Sequence, residues 1–225
     1  MTRTDASIST FILSSFHENA YVVSRVGAAD CVVIDPGLFP CPLIESLEDN
    51  GLTPQAFLVT HGHLDHIGGL GEMKSRWPDA PIFVGENDRD KLMDPEGNLS
   101  AHFGFPMKTR EADRTVRDGE VFEIANLTFQ AIELPGHSRG HIAYVLQTED
   151  VPIVFCGDVV FSGSIGRTDF PDGNIETLIS SINDKLFALP DATILYPGHG
   201  ESTTIGNEKQ SNPFLQKSFL QRLGN

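Results

Sequence analysis

The run Thr60-His61-Gly62-His63-Leu64-Asp65-His66 constrains this chain more than any other stretch. It gathers three imidazoles and a carboxylate into seven residues, too polar for a strand and too marked by glycine for an early helix turn. Phe57-Leu58-Val59 ahead of it is a short apolar run of the kind a buried strand makes, and Ile67-Gly68-Gly69-Leu70 leads into helical spacing. The run therefore sits where a strand ends and a helix begins, and in an open α/β sheet ligands collect at that carboxyl edge. Side chains alternate along an extended segment, so His61 and His63 point to one side and reach one cation. As the chain curls, Asp65 and His66 swing to a neighbouring position and serve a second. Neutral imidazole and carboxylate suit Zn, Fe or Mn rather than a soft thiolate site.

This H-x-H-x-D-H pattern resembles the signature of the metallo-β-lactamase superfamily, which completes its site with a third His, a bridging Asp and a last His. Leu134-Pro135-Gly136-His137, Phe155-Cys156-Gly157-Asp158 and Tyr196-Pro197-Gly198-His199-Gly200 follow in that order. The resemblance runs from about Asn19 to the loop after His199. It implies an α/β fold, a four-layer αβ/βα sandwich of two mixed β-sheets flanked by helices, with metals in a groove along one edge. It also implies a ligand set: His61, His63 and His137 for one metal, Asp65, His66 and His199 for the other, and Asp158 bridging both. Two divalent cations, Zn first and Fe or Mn as alternatives, would share a hydroxide formed near neutral pH, a nucleophile that needs no Ser or Cys. Asp65 and Asp158 are then expected to be catalytic as well as ligating.

Composition narrows the partners. A chain of 225 residues with 40% hydrophobic and 21% charged content fits one sizeable globular core. A net charge of -15 argues against nucleic acid, whose binders usually show a basic face. A small anionic substrate stays open, because local cations override the global field. No segment approaches the length of a membrane span, and Phe11-Ile12-Leu13 behind Thr2-Arg3-Thr4-Asp5 is too short for a signal peptide. Cys31, Cys41 and Cys156 are an odd, sparse set without C-x-x-C spacing, which fits a reducing compartment. A cytoplasmic location is the expectation, and nothing in the pattern specifies an oligomer.

Along the chain, strands are predicted over 8–15, 20–26, 31–34, 57–60 and 81–84, and helices over 42–50, 64–77 and 86–93. Residues 94–109, punctuated by Pro95, Gly97, Gly104 and Pro106, read as a surface loop. Its 101–105 segment is either an apolar lid over the site or a structureless excursion. Strands over 121–124, 127–134, 142–147 and 153–156 follow, then a helix over 174–189 and a last strand over 193–196. Asp35, before Pro36-Gly37, either braces the metal loop or opens a plain turn. His141 reads as structural, His17 and His102 as surface or loop residues, and Cys156 as a buried strand residue.

Gly166-Arg167-Thr168-Asp169-Phe170 is similar to the glyoxalase II and persulfide dioxygenase branches of the superfamily rather than the antibiotic-hydrolysing one. Arg167 falls where glyoxalase II enzymes grip a carboxylate of glutathione, a task for a bidentate fork; the competing reading is a buried structural ion pair with Asp169. Pro197-Gly198-His199-Gly200 leans to hydrolase, since the dioxygenases use one iron held by two His and an Asp. The resemblance thus implies hydrolysis of a small-molecule thioester such as S-lactoylglutathione to a hydroxy acid and a thiol. The alternative is a mononuclear iron dioxygenase acting on glutathione persulfide. Only a short segment, with Asn212-Pro213, Lys217 and Arg222, follows His199. Residues 1–225 are therefore expected to resemble the short single-domain bacterial type, without the extra C-terminal helical domain of full-length glyoxalase II.

Overall fold

The structure, a computed structural model, describes residues 6–216 and residue 219; residues 2–5, Lys217 and Arg222 lie outside them. In the first half of the chain β1 (Ala6–Leu13), β2 (Glu18–Arg25) and β3 (Asp30–Ile34) run antiparallel in sequence. α1 (Cys41–Asp49) crosses to β4 (Thr53–Leu58), parallel to β3, and α2 (Leu64–Ile67) with α3 (Leu70–Arg76) crosses to β5 (Ile82–Gly85), parallel to β4. A polar 3₁₀ helix, Glu86–Met93, and a long loop lead to β6 (Arg114–Val116), which completes the sheet β1-β2-β3-β4-β5-β6.

The second half begins as an antiparallel meander of β7 (Val121–Ile124), β8 (Leu127–Glu133), β9 (Ile142–Leu146) and β10 (Ile153–Gly157). A small ribbon of β11 (Val160–Phe161) and β12 (Ser164–Ile165) precedes α4 (Ile175–Asp184), and the chain returns as β13 (Ile194–Pro197), parallel to β10. β14 (Thr203–Thr204) and α5 (Ile205–Ser211) follow, giving the second sheet the order β14-β13-β10-β9-β8-β7.

Alternation along the strands divides the interior into layers. Val23, Val32, Leu58 and Phe83 of the first sheet meet Phe129, Ile142, Tyr144 and Phe155 of the second. Their neighbours Val22, Val33, Phe57 and Val84 face the other way, onto Leu43, Leu47, Leu70 and Met73 of α1 and α3. Ala143, Val145, Val154 and Leu195 likewise face Leu178 and Ile182 of α4. Central strands covered on both faces must be apolar at every position, which is why these segments read as continuous runs. Each fully buried side chain of this size contributes about 1.5–3 kcal/mol. The expected four-layer αβ/βα sandwich of two mixed sheets is the fold observed.

Several local expectations need correction. The predicted helix over 64–77 is broken at Gly68-Gly69, because the Asp35-Pro36-Gly37 turn packs directly on these glycines. A Cβ at residue 69 would collide with the carbonyl oxygens of Pro36 and Gly37, and Gly69 N–H donates to Pro36 O at 2.9 Å. β4 starts at Thr53 rather than Phe57. Pro54 argues against a central strand, but the register passes from Cys31↔Pro54 to Val32↔Ala56 and leaves Gln55 outside the ladder as a bulge. Residues 86–93 form a 3₁₀ helix, and 174–189 divides into α4 and the 3₁₀ turn Leu186–Ala188. β6, β11, β12, β14 and α5 are too short to show a period and escape the sequence reading.

Candidate metal centre

Every residue singled out as a ligand stands where a strand of the two central layers gives way to a loop. His61 and His63 follow β4, and Asp65 and His66 lie on α2 directly behind them; His137 follows β8, Asp158 follows β10 and His199 follows β13. The sandwich therefore carries all seven to one edge, although they are far apart in sequence. Two groups result, His61–His63–His137 and Asp65–His66–His199, each with ligand atoms within 4.8 Å of one another. Asp158 lies between them: Oδ1 is 3.4 Å from His66 Nε2, while Oδ2 is 3.5 Å from His137 Nε2 and 3.7 Å from His199 Nε2.

Hydrogen bonds made outside the cluster assign which nitrogen of each ring faces inward. His137 Nδ1 donates to the Arg167 carbonyl at 2.8 Å, His66 Nδ1 to Asp35 Oδ2 at 3.0 Å, and His199 Nδ1 to the His17 carbonyl at 3.2 Å. Thr60 Oγ1 gives its own proton to Asp35 Oδ2 at 2.7 Å and so accepts from His61 Nδ1 at 3.1 Å. Four rings thus turn Nε2 into the cluster. His137 Nε2 lies 3.1 Å from His61 Nε2 and 3.0 Å from His63 Nδ1. Lone pairs this close repel unless a proton or a cation sits among them.

Protons fit poorly on His61 and His63. Burial first, and then the neighbouring imidazoles, hold His61 well below the ordinary imidazole range; His63 is held down by burial, His137 and Lys91. The other group is electrostatically opposite. Burial alone would depress His66, yet Asp65, Asp158 and Asp35 push it well above its usual range. Asp158 is held far below the carboxylate range because His66, His137 and His199 outweigh its burial. His66 Nε2 and Asp158 Oδ1 are buried without a hydrogen-bond partner. Unpartnered buried polar atoms are costly, and a divalent cation in each group removes that cost. The residues present fit two such ions.

The surrounding residues hold this arrangement. Asp35 accepts from Thr60 N–H and Oγ1, both at 2.7 Å, besides His66, so it braces the metal loop rather than serving a plain turn. His141 is structural as expected: buried against His61, its Nε2 accepts from Asp158 N–H at 3.1 Å and thereby orients the strand end next to the Asp158 carboxylate. The His17 and His102 side chains are exposed, and Cys156 is fully buried. Two residues escaped the sequence reading. Asn19 Nδ2 donates to the carbonyls of Pro197 at 3.0 Å and Gly200 at 2.8 Å, fastening the His199 loop to the start of β2. Glu18, between the strands predicted over 8–15 and 20–26, is fully buried with neither carboxyl oxygen hydrogen-bonded, and it lies within 4.8 Å of candidate ligand atoms on Asp35 and His66. The one available signal was a charged residue opening an otherwise buried apolar strand.

A cleft of about 340 Å³ opens above the cluster, walled by Phe16, Leu99, Phe103, Phe161, Ile165 and Phe170. Phe103 meets Phe16 edge to face at 5.3 Å, so the 101–105 segment does reach over the site. Nor is its loop a loose excursion: Asn98 Nδ2 donates to the carbonyls of Lys91 and Met107, both at 3.1 Å, and Leu64 N–H donates to Asn98 O at 2.9 Å. Arg167 also lines the cleft. Its guanidinium forks onto Asp169 through two bonds of 2.7 Å and covers the Phe170 ring at 4.2 Å, with both members of the ion pair exposed rather than buried.

An αβ/βα sandwich whose strand ends deliver a histidine–aspartate cluster defines a class, the metal-dependent hydrolases built on this fold. The chain belongs to the metallo-beta-lactamase superfamily, whose profile matches residues 15–199. It is 42% identical over 189 residues to the hydroxyacylglutathione hydrolase GloC of Haemophilus influenzae, covering 83% of this chain and 87% of that protein. It is 38% identical over 199 residues to the probable metallo-hydrolase YqgX of Bacillus subtilis, covering 88% of this chain and 92% of that one. Among solved structures it resembles the BLEG-1 B3 metallo-beta-lactamase, with a TM-score of 0.88 and 37% identity over 93% of this chain and 100% of the other. It also resembles TTHA1623 in a di-iron-bound form, with a TM-score of 0.78 and 34% identity over 92% and 100% of the two chains. Among the described residues no helix is long and apolar enough to cross a membrane.

Proposed function

We propose that the protein hydrolyses small-molecule thioesters, S-lactoylglutathione or a relative, with two divalent cations, Zn in the first place and Fe or Mn as ions the same ligands accept. The observation that carries this reading is the position of Asp158, one carboxylate between two groups of imidazole nitrogens and carboxylate oxygens. Similarity to a hydroxyacylglutathione hydrolase supports the thioester. His61, His63 and His137 would hold one cation, Asp65, His66 and His199 the other, and Asp158 both. When bound, the pair lowers the pKa of a water and polarises the substrate carbonyl.

The chain's own groups do the rest. Asp65, whose Oδ2 lies 3.2 Å from His199 Nε2 on the cleft floor, would accept the proton of the attacking water, and Asp158 would orient that water. The water oxygen bonds to the acyl carbon, the C–S bond breaks, and the leaving thiolate takes up a proton. The aromatic walls exclude bulk water around the acyl group. Arg167 would bind a carboxylate of the thiol half by exchanging Asp169 for it.

Purified, metal-loaded protein is expected to release thiol from S-lactoylglutathione well above an Asp158→Ala control; no release above that control rejects the proposal. Hydrolysis of a cephalosporin instead would move the activity toward the B3 enzyme that the chain resembles. A second reading rests on the His61, His66 and Asp158 group, a two-histidine, one-carboxylate set suited to a single iron. It predicts one Fe per chain and oxygen uptake with glutathione persulfide, where the hydrolase predicts two cations and none.

A further inference from the structure

One buried carboxylate near the cluster, hydrogen-bonded at both oxygens, belongs to a residue with no part in the chemistry above. Asp88 lies on the 3₁₀ helix Glu86–Met93 with its side chain fully buried. Its Oδ2 accepts from Gly62 N–H at 2.9 Å and from Ser138 Oγ at 2.7 Å, and its Oδ1 accepts from Gly140 N–H at 2.8 Å. Gly62 sits between His61 and His63, and Ser138 follows His137 directly. One carboxylate therefore joins the loop bearing two of the three imidazoles to the turn bearing the third.

The fit is close enough to be specific. A Cβ at residue 62 would stand 2.6 Å from Lys91 Cβ, and one at residue 140 would stand 2.6 Å from Asn87 C, so both glycines are needed for the 3₁₀ helix to seat against the two loops. Lys91 Nζ lies 3.3 Å from Asp88 Oδ1 and also holds Asp172 at 2.5 Å, whose carboxylate accepts from Arg139 N–H at 3.1 Å. That second carboxylate ties the same turn from its outer side.

We infer that Asp88 is a positioning residue for the three-imidazole cation site, a buried clamp that sets the His61–His63 loop against the His137 turn. The inference rests on the reading of those histidines as ligands. Its basis is geometric: His63 Nδ1 and His61 Nε2 must each approach His137 Nε2 within about 3 Å, and the observed 3.0 and 3.1 Å have no covalent cause. The Asp88 carboxylate hydrogen-bonds to both segments at once. It leaves Asp65, His66 and His199 untouched, so its effect is confined to one of the two cations.

The test follows cation release from the loaded protein to a chromophoric chelator. His199→Ala identifies the phase that belongs to the other group. Asp88→Asn keeps the side-chain volume but presents a donor where an acceptor is needed. It is expected to weaken the three-imidazole site about 10- to 100-fold, the range for lost partners of metal ligands, with the other phase and the circular dichroism spectrum unchanged. Ser138→Ala removes one of the three bonds and is expected to weaken the same phase by a smaller factor, which serves if Asp88→Asn does not fold. Release of both cations as in wild type, or loss of both in step with the folded fraction, overturns the inference. Wild-type protein that binds no cation sinks it together with the metal reading; wild type holding two cations and variants holding both equally well sinks it alone.

Discussion

His66 Nδ1 donates to Asp35 Oδ2 across 3.0 Å in the buried interior, and the same carboxylate takes the N–H and the hydroxyl of Thr60 at 2.7 Å each. A single side chain thus orients His66 of one group and the residue that precedes His61 of the other. Replacing it leaves a buried N–H and a ring nitrogen unpaired. Asp35→Ala is expected to cost about 1–3 kcal/mol of stability for the stranded donors and about 10- to 100-fold in cation affinity. Chemical denaturation and chelator competition check the two effects separately, and unchanged affinity would refute the bracing role.

Glu18 makes stability depend on pH. Burial pushes its carboxyl well above the usual range, partly offset by His66 and reinforced by Asp35, Asp65 and Asp158. In the folded chain it keeps its proton at pH values where the unfolded chain, with an ordinary carboxyl pKa of about 4.3, has lost it. Unfolding then releases a proton, so stability falls as pH rises above that value, by up to about 1.4 kcal/mol per pH unit. In metal-free protein, Glu18→Gln should gain melting temperature relative to wild type as pH rises from about 4 to about 8. Parallel curves for the two proteins would contradict this.

Arg167 already holds an anion, the Asp169 carboxylate, in the geometry a substrate carboxylate would take. The pair is exposed and screened, so neither Arg167→Ala nor Asp169→Ala should move the melting temperature appreciably. Arg167→Ala should raise KM for S-lactoylglutathione about tenfold, the worth of one charge-assisted bond. Asp169→Ala, which frees the guanidinium, should lower it. Should KM stay constant in both, Arg167 does not touch the substrate.

Two glycines make a matched pair of substitutions. A Cβ at residue 198 would collide with Asp158 Oδ1 and stand 2.6 Å from His66 Cε1, whereas one at residue 71 in α3 meets nothing within 4 Å. Gly198→Ala should displace the bridging carboxylate and cost about 100-fold or more in kcat/KM, as misplacement of a reacting group by an ångström does. Gly71→Ala should leave activity alone and add about 0.5–1 kcal/mol of stability, because alanine suits a helix interior better. Metal content and thermal melts of the two variants check both statements.

His61, His63, Asp65 and His66 stood out in the sequence as candidate ligands by residue type at short spacing, whereas His137, Asp158 and His199 were found only through the resemblance of their segments to the superfamily's motifs. The apolar runs that became β2, β3, β9 and β10 were visible because strands buried on both faces tolerate little else. The break at Gly68-Gly69 was not, since the helical spacing around it is sound and the obstacle comes from Pro36 and Gly37, brought in from another part of the chain. Glu18 and Asn19 were missed for the same kind of reason: one polar residue has no period, and its meaning lies in what folding sets beside it.

The order of its residues determined which atoms this protein can offer a cation and which segments must be buried, because residue type and local periodicity are written along the chain. Only the tertiary structure decided that His63 and His137, 74 positions apart, stand 3.0 Å from each other. It alone decided that Arg167 faces Asp169 across exposed surface and that Glu18 lies inside without a partner. Electrostatic and hydrogen-bond energies depend on distance and burial in space, and neither is a property of position in the sequence.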